Sequence, residues 1–241
     1  IQAVDNQWMH VALVGTGTEN WQIIVNGIET EVHHGKANTP TTDFTLATDF
    51  SGVFTFKGQI DEVRVWNQAA DLTSVRGWMC RKVKPSHPLY TKLVNYFIFD
   101  EGVGSTALNN VAGEPSLVFS VGDEPSWVTS GVPVGDLSVN SYIGNSLLAD
   151  LDLADKLMFK VNDYAEGIDG MHIYFVNDTL NNTTLSTDMT MIDAVGYYGV
   201  FKVGTKDATY TATIDYSNSD QILNLGQASQ YRIAKRNSND D

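Results

Sequence analysis

The stretch at residues 56–67, FKGQIDEVRVWN, constrains the fold of this chain more than any other. Val63 and Val65 alternate with Glu62 and Arg64, which is the period of a β-strand with one buried face. Because residues i and i+2 of a strand lie on the same face, we expect Glu62 and Arg64 to form a weak, exposed ion pair while the valines point inward. The stretch therefore predicts a central strand of a sheet.

Three further motifs occur around this strand in a fixed order. WMHVA at residues 8–12 and VNG at residues 25–27 precede it, and LVNYFIFDEGVG at residues 93–104 follows it. Together with GQIDEVRVWN they resemble the strands of laminin-G-like domains, which have the concanavalin-A-like jelly-roll fold. The resemblance implies an all-β, antiparallel jelly-roll sandwich over residues 1–130. Folds of this kind carry many functions, so the resemblance specifies the fold more than the activity.

The chain starts close to the first of these motifs. WMHVA begins at Trp8, whereas members of the family have several strands before this point. The resemblance therefore implies a jelly roll that is truncated at its N-terminus. Missing strands would leave an open sheet edge and an exposed apolar face.

Two local patterns predict how the strands are connected. Asn26 and Gly27 form the pair preferred in two-residue type I′ hairpins, whose two central positions both need positive φ. After the strand at residues 60–66, apolar residues recur every three or four positions. This spacing predicts one short helix with Thr73 as its N-cap. Cys80 falls in this helix, and we expect it to serve packing.

Residues 131–241 predict a second domain. Glycine and proline cluster at residues 129–135, and the earlier motifs do not recur beyond them. The remaining sequence consists of short segments of strand composition that are separated by turn-rich loops. This pattern predicts a second, immunoglobulin-like β-sandwich.

The second half also resembles a module that follows jelly-roll domains in large exported proteins of Bacteroidota. The matching segments include GMHIY at residues 170–174, YGVF at residues 198–201 and AKRN at residues 234–237. Such modules continue beyond the last of these segments. We therefore expect this domain to be cut at its C-terminus.

The composition excludes several classes of partner. Lys+Arg 15 against Asp+Glu 29 gives a formal net charge of -14, which repels nucleic acid and anionic lipid. No run approaches the roughly 20 apolar residues that span a bilayer, so we expect no membrane insertion. The single cysteine permits no internal disulfide, so burial must stabilise the cores. The acidity favours either solubility or calcium binding.

Four residues are candidates for a ligand site. In folds of this kind, loop residues at a sheet end or on the concave face bind ligands, with aromatics stacking on sugars and acids holding an ion. Trp21 and Trp66 are the aromatic candidates, and Asp43 and Asp49 are the loop acids placed for a calcium or sugar site. Core packing is the alternative for the tryptophans, and ordinary turn chemistry is the alternative for the aspartates.

The loop after residues 93–104 argues against one calcium site. Relatives carry an acidic residue there, whereas this chain has Asn109 and Asn110. A hard cation favours carboxylates over neutral amides. Calcium therefore remains an optional cofactor at the other loops.

No catalytic pattern is recognisable in the sequence. It contains no G-x-S-x-G, HExxH, CxxC or phosphate-loop motif. A glycosidase needs two carboxylates about 5 to 10 Å apart across a cleft. Asp61 and Glu62 are adjacent and should point to opposite faces of a strand. We therefore expect no catalysis by these residues.

The sequence favours a non-catalytic binding or adhesion module of a secreted or cell-surface protein, which recognises extracellular carbohydrate or protein with optional help from calcium. Two alternatives stay open: an accessory domain of an exported polysaccharide-degrading enzyme, and a purely structural segment of a large surface adhesin. A pocket lined by polar and aromatic groups would favour binding over a purely structural role. The oligomeric state is left open.

Overall fold

A computed structural model describes residues 6–15, 17, 19–35, 44–48, 53, 55–119, 125–143, 150–154, 158–162, 167–178, 196–204, 209–215 and 235. In these residues the helices are α1 at Leu72–Trp78 and a 3-10 helix at Tyr90–Lys92. The strands are β1 Val11–Gly15, β2 Asn20–Val25, β3 Ile28–His34, β4 Val63–Trp66, β5 Leu93–Phe97, β6 Thr106–Ala107, β7 Leu117–Val118, β8 Leu137–Tyr142, β9 Leu151–Ala154, β10 Met158–Asn162, β11 Ile168–Val176, β12 Tyr197–Gly204 and β13 Thr211–Asp215. Every pair of these strands is antiparallel, which confirms the predicted all-β, antiparallel class.

The first sheet contains β1, β2 and β3 in that order. Asn26 and Gly27 join β2 to β3 with φ of 50° and 73°, so the predicted two-residue turn is confirmed. On one face of the sheet, Val14 and Ile24 pack against Val75 of α1. This apolar cluster attaches the helix to the sheet.

The opposite face of this sheet is apolar and exposed. Val11 and Leu13 of β1 are 59% and 63% exposed. Strand pairing places them beside Val25 and Ile23 of β2. Within the described residues, β1 has no hydrogen-bonded neighbour on its outer side. In the described residues, β1 is therefore an edge strand with two exposed apolar side chains.

The strand expected at residues 60–66 is present as β4. It pairs with β5, with Val63 opposite Phe97 and Val65 opposite Asn95. In the part of the chain that the structure describes, β5 is the one strand hydrogen-bonded to β4. The strand is therefore confirmed, but its expected central position is not observed.

The ion pair next to β4 is buried, so the exposed pair expected from the sequence is wrong. Nη2 of Arg64 lies 2.5 Å from a carboxylate oxygen of Glu62, and the two side chains are only 7% and 8% exposed. The same guanidinium donates hydrogen bonds to the carbonyl oxygens of Trp78 and Arg81 at 2.8 and 2.9 Å. Because the chain at the C-terminal end of α1 crosses this face of β4, the pair is shielded from water. The Tyr96 hydroxyl donates to Glu62 at 2.7 Å and completes the network.

Helix α1 begins two residues earlier than its predicted cap requires. Asp71, and not Thr73, is the N-cap, and its carboxylate accepts a hydrogen bond from the Ser74 N–H at 2.6 Å. Val75 and Met79 are buried at the helix and its C-cap. No helix in the described ranges has the length and apolarity that a membrane crossing requires.

The second half forms two facing three-stranded sheets. One has the order β13-β10-β9 and the other β12-β11-β8. Buried side chains from both sheets form one core, which consists of Leu151, Leu153, Phe159, Val161, Ile168, Met171 and Ile173. This arrangement is the predicted sandwich; its specifically immunoglobulin-like character stays a prediction. Residues 231–235 form one of the segments of strand composition, and only Lys235 of that segment is among the described residues.

Strand β11 is buried on both faces and joins the two halves. Met171 and Ile173 belong to the sandwich core, whereas Tyr174 and Val176 pack in a second cluster with Met79 and Cys80. Cys80 is 1% exposed, which confirms its expected packing role. The halves therefore share apolar surface.

The segment that precedes β8 is hydrogen-bonded to both halves. Gly135 donates its N–H to the Cys80 carbonyl at 3.1 Å and accepts from the Lys82 N–H at 2.8 Å. A Cβ on residue 135 would lie 2.4 Å from the Phe175 carbonyl oxygen, so glycine permits this close approach. The domain boundary at residue 131 stays a prediction. In the structure, the segment that follows this position is hydrogen-bonded to the first half through Cys80 and Lys82.

Candidate functional site

A cavity of about 460 Å³ opens where the two halves meet, and we refer to it as the junction cavity. Its lining comes from the chain just before β4, the chain after β5, the connecting segment, and the ends of β11 and β12. The lining residues are Asp61, Glu62, Lys82, Ile98, Phe99, Asp100, Gly102, Trp127, Val128, Thr129, Ser130, Val132, Val134, Val176, Asp178 and Tyr197. The cavity thus combines acidic, aromatic and aliphatic side chains from both halves.

Asp61 is held at the cavity wall by two hydrogen bonds. One carboxylate oxygen accepts from the Glu62 N–H at 2.7 Å, and the other accepts from the Ser130 hydroxyl. Glu62 itself has φ of 54°, so the backbone bends here just before β4. Burial raises the pKa of Asp61 to about 6, partly offset by the Ser130 hydrogen bond, and the Glu62 and Asp100 carboxylates raise it further. Asp61 therefore titrates near neutral pH.

Asp100 lies at the end of the chain that leaves β5. The preceding residue, Phe99, has φ of 59°, which turns the backbone at this point. Burial raises the pKa of Asp100, and Lys82 opposes this shift. The carboxylates of Glu62, Glu101 and Asp178 act with burial. Repulsion among neighbouring carboxylates is therefore a property of this cavity.

Aromatic side chains form a second part of the lining. Trp127 donates its indole N–H to the Gly104 carbonyl at 2.8 Å and packs edge-on against Phe119, with ring centroids 6.0 Å apart. Phe99 packs against Phe97 with ring centroids 6.3 Å apart, and Tyr197 begins β12. The hydrogen bond and ring contact fix the Trp127 ring before any ligand enters.

The two tryptophans predicted from the sequence lie elsewhere. Trp21 donates its indole N–H to the Gly35 carbonyl at 3.2 Å, on the first sheet. Trp66 stacks on His87 with ring centroids 5.3 Å apart. Neither residue lines the junction cavity. Asp43 and Asp49 lie outside the described residues. All four remain predictions for a ligand site.

Several cavity residues were not recognisable as a site from the sequence. Asp61 and Ser130 are 69 positions apart, and Trp127 lies in a segment whose composition predicts a boundary. Sequence spacing reports contacts within one strand or helix, whereas this site depends on how the two halves pack. The one available signal is the cluster of glycine and proline next to Trp127, because connecting segments often line binding sites.

Calcium as an optional cofactor stays a prediction, because Asp43 and Asp49 are not among the described residues. The described residues contain no group of three or more His, Cys, Asp or Glu side chains that could hold a metal. The Asn109 amide oxygen accepts hydrogen bonds from the Tyr96 and Val111 N–H groups at 3.1 and 3.0 Å, so it is engaged in holding the loop. We derive no step through calcium.

Comparison with known proteins identifies the N-terminal part of the chain. Residues 1–76 match a family model of laminin-G type that is described as the concanavalin A-like lectin/glucanases superfamily. This range includes the first sheet, β4, Asp61 and most of α1. No curated protein matches the chain, and no solved structure matches it either. Residues 1–76 are therefore similar to the concanavalin A-like lectin/glucanases superfamily.

Proposed function

We propose that this chain is a non-catalytic binding module of a secreted or cell-surface protein, and that it binds carbohydrate in the junction cavity. The match of residues 1–76 to a superfamily of lectins and glucanases supports a carbohydrate- or protein-binding role. The net charge of -14 argues against nucleic acid as the partner.

The observation that carries the proposal is the mixed lining of the cavity. A volume of about 460 Å³ falls within the range of small-molecule sites, roughly 300–1,000 Å³. Trp127, Phe99 and Tyr197 offer rings that can stack on the apolar face of a sugar. Asp61 and Asp100 offer carboxylate oxygens that accept hydrogen bonds from sugar hydroxyls. A protein surface would need a flatter and larger patch, so carbohydrate fits this half-open, concave site better.

Two of the acids that line the cavity are already engaged by the protein, which supports binding without bond cleavage. Glu62 is already engaged by Arg64 and the Tyr96 hydroxyl, so it is not available to a substrate as a base or nucleophile. Asp61 accepts two hydrogen bonds from the protein itself. A glycosidase requires a second carboxylate that faces the first across the bond to be cleaved. A polysaccharide-degrading parent protein would carry its catalytic residues elsewhere.

The experiment is a glycan array probed with the intact protein, with Trp127→Ala and with Trp21→Ala as the matched control. We expect a defined set of glycans to bind the wild type and Trp21→Ala, and to bind Trp127→Ala at least tenfold more weakly, because one stacking ring is lost. A chelator should not change the pattern. Silence of the wild type on the whole array would contradict the proposal and favour a purely structural segment. Loss of binding in Trp21→Ala alone would place the ligand on the first sheet.

Release of reducing sugar from bound oligosaccharides gives a second measurement on the same samples. We expect none above a buffer control. Hydrolysis that disappears in Asp61→Asn would overturn the non-catalytic assignment, because it would make Asp61 an acid that transfers a proton to the leaving group.

A further inference from the structure

His172 is fully buried at the contact between the two halves, with 0% of its surface exposed. Its neighbours on β11, Met171 and Ile173, point into the sandwich core, so His172 points the other way, toward the first half. Its Nε2 lies 2.7 Å from the Tyr142 hydroxyl, and the same hydroxyl lies 3.0 Å from the Asn26 carbonyl oxygen of the first hairpin. The imidazole therefore takes part in the hydrogen bonds that hold the two halves together.

His10 approaches this contact from the first half. It precedes β1, and its backbone N–H donates to the side-chain oxygen of Asn26 at 2.8 Å. The Nδ1 atoms of His10 and His172 are both buried, and neither has a hydrogen-bond partner among the described residues. An imidazolium carries a hydrogen on each ring nitrogen, so protonation would place an N–H at both of these atoms. Each protonation would therefore leave a buried donor unsatisfied.

Positive charge faces both histidines. Burial lowers the pKa of His172, and His10 and Arg76 lower it further. Burial also lowers the pKa of His10, and Arg64 lowers it further. Glu62 lies 2.5 Å from the Arg64 guanidinium, so this carboxylate is already matched by a cation. A positive charge on His172 would thus face Arg76 and His10 of the first half.

The apolar side chains around this contact are uncharged. They are Met79, Cys80, Tyr174, Val176, Tyr142, Tyr197 and Phe201. Burial raises the pKa of the Cys80 thiol and of the Tyr142 hydroxyl, so both stay neutral at neutral and acidic pH. The ring of Phe201, on β12, lies against His172 with centroids 6.3 Å apart. This cluster thus provides no negative charge that could neutralise an imidazolium.

A second connection between the halves does not depend on a histidine. The Asp136 carboxylate, at the end of the segment that precedes β8, lies 3.1 Å from Nζ of Lys84 and accepts from the Asn177 N–H at 3.0 Å. Burial raises the pKa of Asp136, but the Asn177 N–H and Lys84 outweigh it, so the pKa lies below its ordinary value. This carboxylate therefore stays ionised in the pH range where histidines titrate. The connection at Asp136 should persist in mild acid.

We propose that the contact at Tyr142 is an acid-sensitive switch: when His172 and His10 take up protons, the two halves separate at this contact, each half keeps its own sheets, and the segment at Asp136 still joins them. This role goes beyond the proposed binding of carbohydrate and does not depend on any ligand. Separation brings both imidazoles into water, where the pKa of histidine is about 6.5. By linkage, each pH unit below about 6.5 favours the separated state about tenfold for every histidine that takes up a proton only in that state.

Cys80 can report the separation. It is the single cysteine of the chain, it is 1% exposed, and it packs against Tyr174 and Val176 of the second half. The intact protein is treated at pH 7 and at pH 5 with a dipyridyl disulfide, a thiol reagent that also reacts in acid. The labelling rate is divided by that of the urea-unfolded protein at the same pH. We expect this ratio to rise about 100-fold or more from pH 7 to pH 5, with unchanged far-UV circular dichroism.

Substitutions count the protons that drive the change. His172→Gln removes one titrating group, so the ratio should rise only about 20-fold, and the double variant His10→Gln/His172→Gln should show no rise. His33→Gln, at an exposed position on β3, is the matched control and should keep the wild-type increase. The wild-type measurement tests the switch even where a substitution prevents folding.

Urea dependence distinguishes separation from unfolding. Opening of one contact exposes little surface, so the labelling ratio at pH 5 should depend on urea much less steeply than global unfolding does. An unchanged ratio between pH 7 and pH 5 would overturn the proposal, and so would a rise that has the full urea dependence of unfolding. A rise that persists in the double variant would show that other groups, and not these histidines, control the contact.

Discussion

The Tyr142 hydroxyl lies 2.7 Å from Nε2 of His172, at the centre of the contact between the two halves. The same hydroxyl lies 3.0 Å from the Asn26 carbonyl oxygen in the first hairpin. A hydroxyl can donate one hydrogen bond and still accept another, so donation to Asn26 and acceptance from the Nε2–H of His172 satisfies all three groups. In that tautomer the buried Nδ1 of His172, which has no hydrogen-bond partner among the described residues, carries no hydrogen. One side chain of β8 thus connects the first sheet to β11.

Arg76 of α1 reinforces this contact. Its guanidinium lies 4.1 Å from the centroid of the Tyr142 ring, within the range of a cation–π interaction. Its Nε donates to the Gly27 carbonyl at 2.8 Å. The first hairpin, α1 and the second sandwich therefore meet at Tyr142. The junction cavity depends on the relative placement of the same two halves.

Removal of the Tyr142 hydroxyl should destabilise the whole chain. In Tyr142→Phe, the Asn26 carbonyl and the His172 imidazole each lose a buried partner, which costs about 1–3 kcal/mol of unfolding free energy. Urea denaturation followed by tryptophan fluorescence measures it. Tyr90→Phe is the matched control, because Tyr90 is 42% exposed, and it should change stability by less than about 0.5 kcal/mol. Equal stability of the two variants would contradict the hydrogen-bonding role of Tyr142.

His172 should make the protein sensitive to acid. Burial lowers its pKa to about 3, with His10 and Arg76 acting in the same direction. Since the unfolded pKa is near 6.5, the unfolded state binds the proton first as the pH falls. The contribution of neutral His172 to the unfolding free energy is fully present above about pH 6.5. It decreases as the pH falls toward about 3, by up to about 1.4 kcal/mol for each pH unit. His10, whose pKa burial lowers to about 4, acts with the same sign.

The measurement for His172 is a difference between two pH profiles. Unfolding free energies of the wild type and of His172→Gln are compared from pH 7.5 to pH 4.5, so that all other titrating groups cancel. The wild type should lose more stability than the variant over this range. Parallel profiles would show that His172 does not titrate differently in the folded and unfolded states.

Titration of Asp61 should change the unfolding free energy with pH in the opposite direction to that of His172. Its pKa is raised to about 6 mainly by burial, so the folded state holds the proton more tightly than the unfolded state, and stability decreases as the pH rises from about 4 to 6. Asp61→Asn removes this loss. Relative to the wild type, the variant should gain on the order of 1–2 kcal/mol between pH 4 and pH 8, a value reduced for solvent screening. Asp152→Asn, at an exposed position on β9, is the matched control and should change the unfolding free energy by less than about 0.5 kcal/mol. A gain of the same size in both variants would show that folding does not raise the pKa of Asp61.

Gly27 should be sensitive to a methyl group for two separate reasons. Its φ is 73°, and a Cβ there would lie 2.3 Å from the Tyr142 hydroxyl oxygen. Gly102 has a similar φ of 68°, but the described part of the chain places no other atom within 4 Å of its Cβ position. Gly102→Ala should therefore cost about 1 kcal/mol for the backbone alone, whereas Gly27→Ala should cost at least about 2 kcal/mol because it also displaces Tyr142. Thermal denaturation compares them, and equal costs would rule out the steric contact.

The sequence predicted the local elements well and the contacts between them poorly. The alternation around Val63 and the Asn26-Gly27 pair are properties of neighbouring residues, and the structure confirms the strand and the turn. The burial of the Glu62–Arg64 pair depends on the chain near Trp78, which covers it. That contact is set by tertiary packing and leaves no local pattern.

The candidate site shows the same difference between local features, which the sequence predicts, and tertiary contacts, which it does not. Asp61 is part of the strand motif, and the sequence indicates only that its side chain and that of Glu62 should point to opposite faces of the strand. Its hydrogen bond to Ser130 and its raised pKa arise from a segment 69 positions away. The helix cap shows the limit at short range, since Asp71 and Thr73 are both good N-caps by residue type and only the backbone geometry decides between them.

The most direct test of carbohydrate binding in the junction cavity uses the five tryptophan side chains as reporters. Their indole N–H signals are resolved by two-dimensional NMR and assigned with single Trp→Phe variants. An oligosaccharide that binds on the glycan array is then titrated into the intact protein. We predict that the Trp127 signal shifts in proportion to site occupancy while the Trp21 and Trp66 signals stay in place. Shifts of Trp21 or Trp66 with an unchanged Trp127 signal would contradict the account.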